Sequence, residues 1–121
     1  MSRDLIIFDP TDLDGMTGER PAIMDAINRY MADNEPPLDA PEPEPTEAIR
    51  RFLDEVGDSY LGAYFGGGGR YCNLNQPDRG GWENTIISYS EAARATGVIL
   101  IDPQGNEPLM STPGGEGLLD F

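Results

Sequence analysis

The sequence predicts a single α+β domain, in which a sheet of three to five strands carries two main helices on one face. Three observations predict this fold class. Short apolar runs are typical of buried strands, two other segments carry apolar residues at helical spacing, and 121 residues suit one modest core. We therefore expect one domain over residues 1–121.

The first third of the chain is expected to form a strand and a helix. Residues 4–8 include four consecutive large apolar residues, which indicates a buried strand. The segment 9–18 is rich in Asp, Pro and Gly and predicts turns. A helix is expected from near Glu19 to about residue 33, with Pro21 tolerated in its first turn.

A proline-rich segment separates this helix from a second one. Residues 36–45 hold five prolines alternating with acids, so we expect an extended connector there. Thr46 is a suitable N-cap for the second helix, and Gly57 is a suitable end.

The remainder of the chain carries weaker signals. LGAYF is a candidate strand, and residues 66–81 are expected to form a long glycine-rich loop. Thr85–Tyr89 is predicted to be a strand, residues 90–96 a short helix, and Val98–Ile101 a buried strand. The tail 111–121 is glycine- and proline-rich and is expected to be flexible unless Leu118, Leu119 and Phe121 dock back onto the domain.

The apolar positions of these elements predict the core and one pairing of strands. LIIFDP and VILIDP are similar, and if they were neighbouring strands ending at one edge, Asp9 and Asp102 would lie close together. The expected core residues are Ile6, Phe8, Ile23, Ile27, Ile49, Phe52, Leu53, Ile86, Ile99 and Ile101.

The charge of the chain limits its partners. There are 22 acidic residues and 8 basic ones, all arginine, which gives a net charge of -14. Such a surface repels nucleic acid and anionic lipid and attracts a basic partner. No apolar run approaches the roughly 20 residues that span a bilayer, and the single Cys72 suits a reducing compartment. We expect a cytoplasmic protein that binds neither nucleic acid nor membrane.

The candidate catalytic motifs fail on spacing and composition. Asp9 follows a buried strand, as in haloacid-dehalogenase-type phosphatases, but Asp12 and Asp14 are wrongly spaced for the second aspartate. The chain also has no lysine to stabilise a transferred phosphoryl group. Without histidine, a serine triad and a histidine-based zinc site are excluded, and Cys72 has no base. We therefore expect no enzyme activity and no cofactor.

Binding is the remaining class of function. Acids cluster after the first strand, in the connector and at the end of the second helix. Trp82 is either a core residue or an exposed aromatic anchor. The predicted partner-binding residues are Asp9, Asp12, Asp14, Asp54, Glu55, Asp58 and Trp82.

Three segments carry a resemblance to a known group: LIIFDP, PTEAIRRFLDEVGDSY, and WENTIISYS leading into GVILIDPQG. Their order resembles that of small acidic immunity-type proteins of bacterial polymorphic toxin systems. The resemblance implies one-to-one binding that blocks a toxin's active site or substrate surface. The partner would be a basic-surfaced toxin encoded nearby.

Two alternatives stay open from the sequence. One is a nucleic-acid mimic that inhibits a DNA-binding protein, which requires carboxylates along one face. The other is a small-ligand-binding protein or enzyme that uses the loop 60–82 together with Asp9 and Asp102.

Overall fold

The structure is a computed structural model, and it describes residues 2–16, 18–57, 60, 62–77, 82–103, 109–112 and 118–120. Three helices and six strands occur within this part of the chain. In chain order the elements are β1 (Ser2–Phe8), α1 (Arg20–Asp33), α2 (Glu47–Val56), β2 (Gly62–Gly66), a 3₁₀ turn (Gly67–Gly69), β3 (Tyr71–Pro77), α3 (Trp82–Thr96), β4 (Ile99–Asp102), β5 (Leu109–Ser111) and β6 (Leu118–Asp120).

The described strands form one antiparallel sheet with the order β2-β3-β1-β4-β5-β6. The apolar strand β1 lies inside the sheet and pairs with β3 along seven residues. The α+β class is therefore confirmed. The sheet has one strand more than the predicted upper limit, because the tail 111–121 contributes β6 and part of β5. Of the two expectations for this tail, docking of Leu118 and Leu119 agrees with the pairing of β6 with β5.

The helices cover both faces of the sheet, and the prediction of two main helices on one face was wrong. Successive side chains of a strand point to opposite faces, and both faces of β1 are apolar. Leu5 and Ile7 pack in a cluster with Ile49 of α2 and with α3. Phe8 packs in a second cluster with Ile23 of α1. An unalternating apolar run indicates burial on both sides, and each side needs its own helix.

The helix α3 replaces two predicted elements. Thr85–Tyr89 was expected to be a strand and 90–96 a separate short helix, yet Trp82–Thr96 is one helix. The β-branched residues favour a strand locally. However, Tyr89 and Ala93 are buried four residues apart with Ile86 partly buried beside them, which is the spacing of a helix face.

The prediction of a glycine-rich loop over 66–81 was wrong for residues 66–77, which belong to a β-hairpin, while residues 78–81 lie outside the described part of the chain. Strands β2 and β3 pair from Gly62 opposite Asn75 to Gly66 opposite Tyr71. The turn between them has left-handed backbone at Gly67, Gly68 and Gly69, with φ of 55°, 69° and 92°. Only glycine adopts such a run without strain.

The turn also packs closely against a side chain of α1 and the backbone of the connector. A Cβ atom at Gly67 would lie 2.8 Å from Met31 Sδ of α1, and one at Gly69 would overlap the carbonyl of Glu44 in the connector. The glycines therefore allow the hairpin to fit between α1 and the connector.

The predicted core is confirmed, but the predicted proximity of two aspartates is not. Seven of the ten core residues are buried, and Ile6, Leu53 and Ile86 pack against the clusters. Strands β1 and β4 are neighbours, as the similar sequences suggested, but they are antiparallel, with Phe8 opposite Ile99. Asp9 and Asp102 therefore lie at opposite ends of this strand pair.

We expect Gly69→Ala to destabilise the protein by roughly 2–4 kcal/mol, from left-handed strain and from displacement of the Glu44 backbone. Gly62→Ala is the matched control, because Gly62 has ordinary backbone and open space around it, and it should change stability by less than about 0.5 kcal/mol. Urea unfolding measures both. Equal stability of the two variants would contradict the packing described for the turn.

Candidate functional site

Asp9, a predicted partner-binding residue, is a structural residue at the end of β1. Its side chain is 4% exposed. Its Oδ1 accepts hydrogen bonds from the Thr11 amide at 3.0 Å and the Thr11 hydroxyl at 2.6 Å. Arg70 Nη1 donates to the backbone carbonyl oxygens of Asp9 at 3.1 Å and of Thr11 at 2.5 Å. The carboxylate closes the turn after β1, and a partner could reach it only by breaking that turn.

The protonation of Asp9 follows from the same contacts. Burial alone would raise its pKa, but the Thr11 hydroxyl, the Thr46 hydroxyl, the Thr11 amide and the charge of Arg70 together hold the pKa below its ordinary value of 3.8. The Thr46 hydroxyl is buried near this carboxylate without a hydrogen bond of regular geometry, so we assign most of the effect to Thr11. Asp9 is ionised at neutral pH.

The other predicted acidic residues lie on two separate parts of the surface. Asp12 and Asp14 are exposed in the turn before α1. Asp54 and Glu55 are exposed in the last turn of α2, on the opposite face of the sheet from α1. The structure does not bring these pairs together. Asp58 and the side chain of Trp82 lie outside the described residues, and the backbone of Trp82 begins α3.

Arginines neutralise acids at the start of α2 and not at its end. Arg50 pairs with Glu44 at 3.2 Å, and Arg51 pairs with Glu47 at 2.9 Å, with all four side chains exposed. Within the described residues, Asp54 and Glu55 form no ion pair. The end of α2 therefore keeps its negative charge.

A polar cleft lies on the α1 face of the sheet, where α1 does not cover it. Its volume is about 410 Å³. Three strands contribute to it, since Asp4 is on β1, Tyr64 on β2, and Asn73 and Asn75 on β3. At the start of α1, Arg20 Nε donates to the Met110 carbonyl on β5, and near its end the Tyr30 hydroxyl donates to the Gly67 carbonyl in the glycine turn. Helix α1 therefore covers the end of β1 that adjoins this turn and leaves the end at Asp4 uncovered.

Apart from the open alternative of a ligand site in the segment 60–82, the sequence patterns did not single out these cleft residues. A signal for them exists in YCNLN, where Asn73 and Asn75 alternate with the buried Cys72 and Leu74. That period of two is typical of a strand with one apolar and one polar face. The nearby glycines and the low strand propensity of asparagine favoured a loop instead.

A second, smaller groove lies between α1 and the turn that precedes it. Its volume is about 290 Å³, and its lining includes Asp14, Asp33 and Arg29. Because it contains both charge signs, it selects less clearly for a cationic or anionic partner than the cleft on the sheet.

Cys72 is a buried core residue. Its side chain is 0% exposed, and burial, with a smaller contribution from the charge of Glu42, raises the pKa of its thiol to about 12. The thiol is therefore protonated at neutral pH and packs as an apolar group. The described residues contain no group of three Asp, Glu or Cys side chains that could hold a metal ion.

Comparisons with known proteins gave no match to a family model, a curated protein or a solved structure. Among the described residues, no helix has the length and apolar character needed to cross a bilayer. Function is therefore inferred from the acidic surface and the polar cleft themselves.

We expect Asp9→Asn to lower the free energy of unfolding at pH 7 by about 1–3 kcal/mol, because an ionised acceptor of two hydrogen bonds is lost. The lowered pKa of Asp9 makes its contribution fully present above about pH 4 and lost as pH falls through the folded-state pKa. The difference in the free energy of unfolding between Asp9→Asn and wild type, measured by urea unfolding at several pH values, should therefore disappear in acid. Asp12→Asn, at an exposed position whose φ of 63° suits asparagine, is the control. A difference in unfolding free energy that does not change with pH would contradict a stabilising, ionised Asp9.

We expect Cys72 to resist thiol reagents in the folded protein. At pH 8, a pKa of about 12 instead of 9.0 lowers the thiolate fraction about a thousandfold, and burial blocks access as well. Reaction with Ellman's reagent, followed with and without denaturant, measures this. Similar rates under the two conditions would show that the core around Cys72 opens readily.

Proposed function

We propose that this chain is a non-catalytic acidic binding protein, and specifically an immunity protein that neutralises a bacterial toxin by one-to-one binding over its active site or substrate surface. The observation that carries the proposal is the charge of -14, with exposed acids such as Asp54 and Glu55 that no described arginine neutralises. Toxins that act on nucleic acids or nucleotides need basic substrate surfaces, and an acidic inhibitor complements such a surface.

The rate of association is the main advantage of this charge. Opposite charges on two proteins steer their encounter and raise the association rate by factors of about 10–1,000 at low salt. An inhibitor that must bind a toxin before damage occurs benefits directly from such a rate. The exposed acids on both faces of the sheet extend this attraction over much of the described surface.

Two observations bear on the alternatives that the sequence leaves open. A nucleic-acid mimic requires a row of carboxylates on one face, whereas the acids before α1 and those at the end of α2 lie on opposite faces. The small-ligand alternative used a loop over 60–82 and a pair of aspartates. Asp9 and Asp102 lie at opposite ends of the antiparallel β1–β4 pair and do not form one site, whereas the hairpin β2–β3 within 60–82 does contribute residues to the polar cleft.

Co-expression with the protein encoded by the neighbouring gene tests the proposal. We expect the neighbour alone to arrest growth, this chain to restore growth, and native mass spectrometry to show a one-to-one complex. A growth arrest that this chain does not relieve would contradict the proposal. So would restored growth without a complex, because the proposed mechanism is direct binding.

We expect the double variant Asp54→Arg/Glu55→Arg to slow association with the partner by about tenfold at low salt, with a smaller effect at high salt. Its thermal stability should change little. Arginine suits the C-terminal end of a helix, which offsets the repulsion from Arg50 and Arg51 four residues earlier.

Stopped-flow association kinetics and thermal unfolding measure these effects. The matched control is Asp25→Arg/Asp33→Arg on α1, which changes the net charge equally at exposed positions on the other side of the sheet and outside the predicted partner-binding residues. Equal slowing by both double variants would mean that net charge alone matters and would remove the end of α2 from the interface.

A further inference from the structure

The geometry of the sheet points to a specific recognition site: we propose that the polar cleft of Asp4, Tyr64, Asn73 and Asn75 receives an arginine side chain of a basic protein partner. The inference rests on the proposed function for the kind of partner. It goes further by assigning the site and the chemical group that enters it.

The strand register brings the polar groups of the cleft together. Asn75 lies opposite Asp4 of β1 on one side and opposite Gly62 of β2 on the other, and Asn73 lies opposite Tyr64. Residues two apart on a strand share a face. The amides, the phenol and the carboxylate therefore lie on one surface, which is built on three paired strands and not on a loop.

Gly62 keeps the cleft open. It has no side chain opposite Asn75, and a Cβ atom added there would meet no atom within 4 Å. Tyr64 beside it is 58% exposed, although it is a large aromatic residue. The resulting volume of about 410 Å³ falls in the range of about 300–1,000 Å³ typical of ligand pockets. The cleft has room for a long side chain.

The charge of the cleft selects a cation. Among the six lining residues, Asp4 is the one Asp, Glu, Lys or Arg; the six are Asp4, Gly62, Ala63, Tyr64, Asn73 and Asn75. Tyr71 lies on the same face of β3, and burial raises its pKa; a hydrogen bond with Asn73 opposes this, and Cys72, Asp4 and Tyr64 make smaller raising contributions. The carboxylate of Asp4, in a lining whose described residues include no basic one, is what favours a bound cation.

The types of side chain favour arginine over lysine. A guanidinium group is planar, stacks on an aromatic ring such as that of Tyr64, and donates hydrogen bonds in its own plane to carboxylate and amide oxygens. A carboxylate has about four acceptor positions, so Asp4 can accept from a guanidinium and keep its existing contact. Lysine offers a compact charge without the stacking plane.

A titration of the full ¹⁵N-labelled chain with the peptide acetyl-Gly-Arg-Gly-amide tests the site by NMR. We expect saturable shifts concentrated at the amides of Tyr64, Asn73 and Asn75. The same peptide with neutral citrulline in place of arginine should produce no saturable shifts. Shifts spread over exposed acids such as Asp12 and Asp54, or equal binding of the citrulline peptide, would overturn the proposal.

Matched variants identify the contacts. Asp4→Asn should weaken arginine-peptide binding by about two- to fivefold, the range for a solvent-accessible ion pair, whereas Asp25→Asn on α1 should not. Tyr64→Ala should weaken it similarly, with Ile87→Ala, a side chain of nearly equal exposure (56%), as its control. Unchanged affinity in both cleft variants would overturn the proposal even if the peptide binds.

The variant Gly62→Leu tests the arginine site independently of the proposed function. The leucine side chain should fill the cleft and abolish arginine-peptide binding while the amide spectrum remains dispersed. If this variant unfolds, Asp4→Asn and Tyr64→Ala decide whether the peptide binds in the cleft. A toxin bound equally by wild type and folded Gly62→Leu would overturn the cleft as its contact and leave the proposed function intact. Peptide binding without any neutralised toxin would overturn the function and leave the arginine site supported.

Discussion

The close contact between Gly69 and the backbone of the proline connector is the constraint on which the arrangement of the elements depends. The Gly69 carbonyl accepts the Thr46 amide at 3.0 Å, directly before α2 begins. On the other side of the turn, the Tyr30 hydroxyl donates to the Gly67 carbonyl at 2.8 Å. One short turn without side chains thus connects the end of α1, the start of α2 and the edge of the sheet. Side chains at these positions would push all three apart.

This contact also explains where the sheet stays open. Phe8 stacks edge-to-face on Tyr30, with ring centres 5.5 Å apart, so α1 is held over the end of β1 that adjoins the glycine turn. The other end of β1, at Asp4, receives no cover from α1, and polar residues there remain in contact with solvent. The cleft is therefore a consequence of where α1 is held, and its residues contribute little to the core.

Sequence patterns predicted the parts of the fold in which local and tertiary preferences agree. The apolar stripe of α1 and the flanking Thr46 and Gly57 of α2 indicated both helices within a residue or two. The predictions failed where local and tertiary preferences conflict. Thr85–Tyr89 favours a strand locally, but it is helical because its buried residues recur at helical spacing. The candidate site was harder to predict. Asp9 is acidic like its neighbours in the turn, and only its burial and its hydrogen bonds from Thr11 show that its carboxylate holds the turn.

The acids of this chain therefore divide into those used by the fold and those left to the surface. Glu42 belongs to the first group, because its Oε1 accepts the Phe65 amide of the edge strand β2 at 2.7 Å. An exposed strand edge can pair with another chain, and a carboxylate bound to its amide opposes this. Glu44 and Glu47 are balanced by arginines. A count of carboxylates consequently overstates the binding surface. Under the proposed function, the acids available to a partner are those without such a role. The proposed arginine site beside β2 would add a defined position for one cationic side chain, which net charge alone does not provide.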